Sequence, residues 1–210
     1  VADGIVSVVA PVGLDHTDML GDSLAEIATE KAGIIKPDGY LISAAQDPEV
    51  ATILLDTARK QNAKYAFEGV EFGVVERARA VGGQLLTLRG LAGEYPDIEL
   101  PLHGEHQGQN ASLALAAVEA FFGGDRALAR DVVLAGFAQV RSPGRLEMIR
   151  SEPLVVLDAA HNPHGVRAAS TAFKEAFELS HVHAVVGILG EKDALGIFEV
   201  LREEYVDSTD

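Results

Sequence analysis

The first third of the chain alternates short apolar runs with amphipathic stretches. Residues 5–10 form an apolar run that Pro11 and Gly13 close, which is typical of a parallel strand buried on both faces. Ser23 and Glu26 have the spacing of a capping box, which predicts a helix. Strand and helix patterns alternate here, and this alternation predicts a parallel sheet. The predicted strands are residues 5–10, 40–45 and 64–67, and the predicted helices begin after Ser23 and Asp47.

The pattern changes after residue 70. Two alternating segments flank Gly82-Gly83, which predicts a β-hairpin with a two-residue turn, and a further strand is predicted beyond it. After two helical patterns comes a turn-rich link at 141–145, and we place a domain boundary there, between residues 1–141 and residues 142–210. The strand–helix alternation then begins again. The predicted strands are residues 72–81, 84–89, 98–102, 154–157 and 182–189, and the predicted helices are 107–122, 126–140, 163–177 and 195–205.

Composition narrows the class of protein. The 210 residues are 48% hydrophobic, so the chain can bury a core. The alternation of strands and helices described above predicts the α/β fold class. A net charge of −15 argues against non-specific nucleic-acid binding and against anionic membranes. The absence of cysteine excludes disulfides and thiolate metal sites within this sequence. Because the first strand begins with almost no lead-in, we expect the sequence to be part of a longer protein.

A charged loop follows the first predicted strand. Asp15, His16 and Asp18 lie just beyond that strand's carboxyl end, where ligands bind in open α/β sheets. Magnesium prefers oxygen ligands, so the carboxylates suit it and a histidine ligand would be unusual on chemistry alone. Two interpretations stay open at this point: a ligand-binding loop, and an exposed polar loop that precedes the next helix.

The helix after this loop carries a lysine on its apolar face. Leu24, Ile27, Ala28 and Lys31 fall at the spacing of one helix face. In one interpretation the ammonium group reaches water at the end of the helix, where the helix dipole favours a positive charge. In the other, burial makes the amine of Lys31 available for chemistry.

Four motifs occur in a characteristic order. They are LDHTDMLG followed by EKAGI, GEHQGQNASLAL at 104–115, SPGRLE at 142–147, and LDAAHNPHG at 157–165. Together they resemble the Mur ligase superfamily and, within it, the folylpolyglutamate and dihydrofolate synthases, over nearly the whole chain. The resemblance implies part of a central ATP-binding Mur ligase domain, with a mainly parallel sheet and a hairpin region. A partial Rossmann-like C-terminal domain, the glutamate ligase domain, would follow it.

The resemblance also implies an activity, an ATP-dependent amide ligase that adds L-glutamate to a folate. ATP would activate a carboxylate as an acyl phosphate, with Mg²⁺ present, and the amine of glutamate would attack it; dihydropteroate is a further acceptor in the family. No nucleic-acid or membrane partner is implied, and a cytoplasmic, monomeric full-length enzyme is expected. Two alternatives remain: a Mur-type peptidoglycan or cyanophycin ligase, and a non-catalytic nucleotide-binding module that lost its phosphate loop.

The resemblance assigns two residues to a magnesium site. His16 would be a Mg²⁺ ligand, and Lys31 would be carbamylated by CO₂. Carbamylation converts an ammonium group into an oxygen-bearing anion, and oxygen is the ligand that magnesium prefers. A neutral amine is needed for that reaction, and burial favours the neutral form.

Further residues are assigned to ATP and to catalysis. Asn110, Arg145 and Asp158 would bind ATP, since an amide can pair with a purine edge and a guanidinium suits phosphate. His161 would be catalytic, near the amino-acid substrate, in a loop that leads into a helix. Without the resemblance, Asn110 would be a helix-terminal polar residue and Arg145 a surface arginine. The other histidines are interpreted as structural or surface residues: His103, His106, His164, His181 and His183.

One expected motif is absent from the sequence. Mur-type ligases need a glycine-rich phosphate loop ending in Lys-Ser or Lys-Thr, and this sequence has no Gly-Lys dipeptide. We therefore expect that loop in a preceding segment, and we expect these residues alone not to turn over ATP.

Overall fold

The computed structural model describes residues 4–13, 23–177 and 181–206. Within these ranges it contains helices, a parallel sheet and antiparallel sheets, which confirms the predicted α/β class. Helices and strands follow in the order β1 (Val6–Val9), α1 (Leu24–Ala32), β2 (Tyr40–Ser43), α2 (Pro48–Lys60), β3 (Lys64–Phe67), β4 (Gly73–Ala80), β5 (Gly83–Arg89), β6 (Glu94–Leu100), α3 (Glu105–Phe121), α4 (Arg130–Ala138), β7 (Glu147–Ser151), β8 (Leu154–Leu157), α5 (Pro163–Ala176) and α6 (Ala194–Tyr205).

The parallel sheet predicted from the first third of the chain is present. Its strand order is β1-β2-β3, with every pair parallel. The capping box at the start of α1 is formed, because Ser23 Oγ accepts from Glu26 N at 3.2 Å and Glu26 Oε2 accepts from Ser23 N at 3.2 Å. Leu41 and Leu54 are fully buried between the sheet and α2. Burial of these side chains explains why the apolar pattern predicted this part of the fold correctly.

The antiparallel sheet is ordered β4-β5-β6; the hairpin pattern predicted the pairing of β4 with β5, and β6 begins four residues before the strand predicted at 98–102. Its turn lies one residue earlier than expected, at Val81-Gly82, because Ala80 pairs with Gly83. Gly82 has φ +77°, a conformation that favours glycine. At Gly83 a Cβ would collide with the carbonyl oxygen of Leu100, so this glycine allows β6 to approach β5 closely.

Helix α3 joins the two sheets. Its residues Leu113 and Ala116 pack with Ile42 of the parallel sheet, while Ala111 and Leu115 pack against the antiparallel sheet. The helix is therefore buried on two sides, which fits its richness in alanine and leucine. The next helix, α4, begins at Arg130, four residues later than the pattern predicted. The backbone before it is held by a 2.7 Å hydrogen bond from Leu128 N to Tyr95 Oη.

The part of the chain after the link differs from the prediction in two strands. β7 was not predicted; it pairs antiparallel with β8, and all its residues are exposed, so no apolar pattern marks it. The predicted strand at 182–189 is wrong, since the described residues 181–189 form no strand. A strand needs a neighbour for its backbone hydrogen bonds, and no described strand pairs with this segment. Its side chains Val185 and Leu189 are correspondingly exposed.

Helices α5 and α6 pack against each other through Val166, Ile197 and Val200. The boundary proposed between residues 141 and 142 stays a prediction. Among the described residues, every helix is too short or too polar to cross a lipid bilayer.

Candidate functional site

Three segments that are distant in sequence meet around His106. This half-buried residue lies in the first turn of α3, and burial lowers the pKa of its imidazole. Asp158 acts on that pKa in the opposite direction, and the positive charges of Arg145 and Arg77 lower it further. The influence of Asp158 and Arg145 on this ring places the start of α3 near the link before β7 and the loop before α5, and these three segments make up the candidate site.

Asp158 is the centre of the hydrogen bonding in this site. Its Oδ2 accepts from Leu146 N at 3.0 Å and its Oδ1 accepts from Ala160 N at 2.7 Å. A backbone bond of 2.7 Å from Ala159 N to Gly144 O runs beside them. One carboxylate thus connects the turn at 144–146 to the loop at 158–161. The side chain is exposed, so its remaining lone pairs stay accessible to a ligand.

The turn at 144–146 presents Arg145. Gly144 and Leu146 have φ of +71° and +44°, and Gly144 N donates to Glu147 Oε2 at 2.8 Å. Within the described part of the chain, the exposed guanidinium of Arg145 has no hydrogen bond or ion pair. All five of its N–H donors are therefore available to a phosphate or a carboxylate.

The loop at 158–161 presents His161, which is exposed. Its Nδ1 lies 3.1 Å from the carbonyl oxygen of Ala159. A carbonyl can only accept, so Nδ1 is the protonated nitrogen in this contact and Nε2 stays available. The next residue, Asn162, caps α5 by accepting from Gly165 N at 2.7 Å, and Pro163 occupies the first helical position. His161 thus lies beside the amino end of a helix, where anions are favoured.

Asn110 lies on the exposed side of α3, one turn after His106. Its Nδ2 donates to Oε1 of the buried Gln107 at 3.3 Å, and Gln107 Nε2 lies 3.2 Å from His106 Nε2. An amide nitrogen can only donate, so His106 Nε2 accepts and the ring is neutral. Sequence reasoning interpreted His106 as structural. The available signal was its position inside the GEHQGQNASLAL motif, four residues before Asn110.

A cavity of about 570 Å³ lies next to this site. Ala45 and Glu68 line it where β2 and β3 end, and Glu105 and Gln109 line it from α3. Arg77 contributes from the antiparallel sheet. The carboxyl ends of parallel strands are where open α/β sheets bind their ligands, and the cavity occupies that edge.

The predicted magnesium residues are described only in part. His16, together with Asp15 and Asp18, lies outside the described residues. Lys31 is half-buried in the last turn of α1, and its ammonium group has no partner among the described residues. No group of three or more histidine and carboxylate side chains in the described ranges could hold a metal ion. The assignment of His16 and Lys31 to magnesium therefore stays a prediction.

Comparison with known proteins gives consistent matches. Residues 144–208 match the family described as Mur ligase, glutamate ligase domain. Over 205 residues the chain is 49% identical to the dihydrofolate synthase/folylpolyglutamate synthase of Mycobacterium tuberculosis, which covers 94% of this chain and 42% of that relative.

Solved structures match the fold over almost all of the chain. The structure of Mycobacterium tuberculosis folylpolyglutamate synthase complexed with ADP and AMPPCP matches with a TM-score of 0.91 and 48% identity, over 97% of this chain and 46% of that one. A complex of FPGS with AMPPCP and folate matches with a TM-score of 0.88 and 30% identity, over 96% of this chain and 49% of that one. The chain thus spans less than half the length of these relatives.

Proposed function

The chain belongs to the folylpolyglutamate synthase family of the Mur ligases, and from this we propose that it supplies nucleotide- and glutamate-binding residues to an ATP-dependent folate ligase. A carboxylate oxygen of the folate attacks the γ-phosphorus of ATP, and ADP leaves. The amine of L-glutamate then attacks the carbonyl carbon of the acyl phosphate, and phosphate leaves as the amide forms. Dihydropteroate is a second acceptor in this proposal, since a relative is named a dihydrofolate synthase.

The observation that carries this proposal is the pair of backbone hydrogen bonds that Asp158 accepts. They hold Arg145 and His161 on one connected unit, opposite the start of α3. In the proposal, the unpaired guanidinium of Arg145 binds phosphate, and the exposed amide of Asn110 pairs with the adenine edge. The free lone pairs of Asp158 accept hydrogen bonds from ribose hydroxyls.

His161 is the proposed catalytic residue. Its Nδ1 is engaged by the carbonyl of Ala159, which fixes the ring and leaves Nε2 for the amino-acid substrate. A neutral Nε2 can accept a proton from the attacking amine of glutamate. The amino end of α5 lies next to it and favours the substrate's negatively charged carboxylate.

Magnesium enters the proposal through His16 and Lys31. Lys31 fits carbamylation because the residue is half-buried and its amine has no partner among the described residues. A carbamate oxygen would be a suitable ligand for Mg²⁺, which neutralises phosphate charge when bound. In this proposal Lys31 lies on the apolar face of α1 because its carbamate binds magnesium, and not because its ammonium group reaches water at the end of the helix.

The proposal can be tested with the natural protein that contains this chain. We expect ATP-dependent joining of glutamate to tetrahydrofolate and none to a UDP-linked muramyl substrate. The Arg145→Ala variant should bind AMPPCP ~10-fold or more weakly, because a charge-assisted hydrogen bond contributes ~1.5–3 kcal/mol. Arg150→Ala is the matched control, since Arg150 is also an exposed arginine, on β7.

Two outcomes would contradict the proposal. Nucleotide binding without glutamate transfer to any acceptor would favour the non-catalytic module. Transfer to a muramyl substrate, or to a growing amino-acid polymer in place of folate, would instead assign the protein to another branch of the Mur ligases.

A further inference from the structure

We propose that Arg77, paired with Glu175, is a positioning residue that fixes α5 relative to α3 and so sets where His161 stands against the nucleotide site. The inference rests on the proposed function for its effect on catalysis. Arg77 lies on β4 of the antiparallel sheet, and Glu175 lies in the last turn of α5, 98 residues further along the chain.

The contact between them is bidentate. Arg77 Nη1 donates to Glu175 Oε1 at 2.8 Å, and Nη2 donates to Oε2 at 2.7 Å. The two side chains are only 20% and 31% exposed. Parallel paired bonds of this kind fix orientation as well as distance, which a single surface ion pair does not. Arg77 also lowers the pKa of Glu175, which is consistent with close contact between the two charges.

The same guanidinium is connected to the start of α3. Its Nε donates to Gln84 Oε1 at 2.6 Å, and the buried Gln84 Nε2 donates to Leu102 O at 2.9 Å and Gly104 O at 3.0 Å. Gly104 is the residue that precedes α3. Three side chains, those of Glu175, Arg77 and Gln84, therefore connect the end of α5 to the backbone at the start of α3. We call them the α5–α3 clamp.

Close backbone packing supports the clamp. Gly104 has φ +97°, and a Cβ at this position would lie 2.6 Å from Ala172 Cβ on α5. Helix α5 thus rests directly on the chain before α3. A second contact lies beside it, where Arg79 Nη1 donates to Glu175 O at 2.9 Å. The clamp and this packing fix α5 at its carboxyl end, while His161 lies just before its amino end.

Because α5 is held near its carboxyl end, a small rotation there would displace its amino end. About nine residues separate Ala172 from Pro163, which at ~1.5 Å per residue is ~13 Å of helix. If α5 pivots at Ala172, a tilt of about 5° would displace its amino end by ~1 Å. A displacement of ~1 Å in a reacting group can cost ~100-fold in rate. Loss of the clamp should therefore affect turnover in Glu175→Gln as well, although Glu175, unlike Arg77, does not line the cavity.

The test compares variants of the natural protein that contains this chain. We expect Arg77→Gln and Glu175→Gln each to lower kcat for glutamate transfer by ~10–100-fold, with KM for ATP changed by less than ~3-fold. Exchange of the two residues (Arg77→Glu with Glu175→Arg) should restore a part of kcat. Arg130→Gln is the matched control, because it breaks an exposed ion pair with Asp97 that has no contact with α5.

A second measurement does not depend on activity. The sequence has no cysteine, so Ala114→Cys on α3 and Thr171→Cys on α5 provide two exposed sites for spin labels within it. The distance distribution between the labels should be narrow with Arg77 in place and clearly broader in Arg77→Gln, with no broadening in Arg130→Gln.

The outcomes separate the two proposals. A wild-type protein that does not ligate glutamate overturns the proposed function, and the label distances then decide on the clamp alone. Unchanged kcat in Arg77→Gln, or an unchanged distance distribution, overturns the positioning role. A uniform loss of both kcat and nucleotide binding that the residue exchange cannot restore would also overturn it, since it indicates a general loss of structure.

Discussion

We predict that Asp158→Asn weakens nucleotide binding by loosening the loops that present the proposed ligand-binding side chains. The carboxylate accepts two backbone N–H groups on separate oxygens, from Leu146 at 3.0 Å and from Ala160 at 2.7 Å. Asparagine has the same shape but one oxygen and one NH₂ group. Whichever way the amide turns, its NH₂ faces one of the two donors, so one hydrogen bond is lost.

The magnitude follows from that single lost bond. A hydrogen bond to a charged group contributes ~1.5–3 kcal/mol, and the exposure of Asp158 places it near the lower end. A loss of ~1.5 kcal/mol lowers the equilibrium constant for ordering the loops ~10-fold, and AMPPCP should bind up to ~10-fold more weakly to the extent that loop order limits binding. The amides of Leu146 and Ala160 should exchange hydrogen faster by a similar factor.

The assay is calorimetric titration with AMPPCP, combined with hydrogen exchange followed by mass spectrometry. Asp193→Asn is the control, since Asp193 is an exposed aspartate that caps α6 by accepting from Gly196 N at 2.9 Å. It should leave nucleotide affinity within ~2-fold of the wild type. Faster exchange at Leu146 and Ala160 with unchanged affinity would refute the reasoning, because loop order would then not limit binding.

Two further predictions concern Lys31 and the buried Glu119. Lys31→Ala should lower ligase activity, and small carboxylic acids should restore a part of it. The control Lys60→Ala, at an exposed lysine, should stay active. Full activity of Lys31→Ala would exclude the carbamate. Glu119 is fully buried and accepts from Tyr95 Oη at 2.6 Å and from the backbone at 91–92. Glu119→Gln should therefore lower the free energy of unfolding, measured in urea, by ~2–3 kcal/mol. The control Glu99→Gln, at an exposed glutamate, should leave that free energy almost unchanged. Equal losses of stability in the two variants would contradict this account.

Local patterns predicted the parts of the fold that local interactions determine. Each parallel strand buries at least one apolar side chain, and a capping box marks the start of α1, so β1, β2, β3 and the start of α1 could be predicted from sequence. The segment 182–189 is as apolar as those strands, but a strand also requires a partner, and partners are not encoded in the segment itself. β7 is the opposite case, because it forms by pairing with β8 although its side chains are exposed.

Candidate site residues could be named from motifs, but their arrangement could not. Arg145, Asp158 and His161 fall within two motifs, and the order of those motifs indicated a family. Nothing local indicated that Asp158 would use both oxygens on backbone amides, or that His106 would lie within reach of its charge. These contacts depend on how β7 and β8 pair and on the packing of α5, which are long-range features.

The site is built from two units that are held together by separate contacts. Asp158 holds Arg145 and His161 within one unit through two hydrogen bonds from backbone amides, whereas Asn110 belongs to α3 in the other. The relative position of the two units is fixed by other contacts, those of Arg77 on β4 with Glu175 and Gln84. Affinity for a nucleotide should therefore respond most to changes around Asp158, and turnover most to changes at Arg77. A protein that used one rigid unit for both tasks would show no such separation between the two groups of variants.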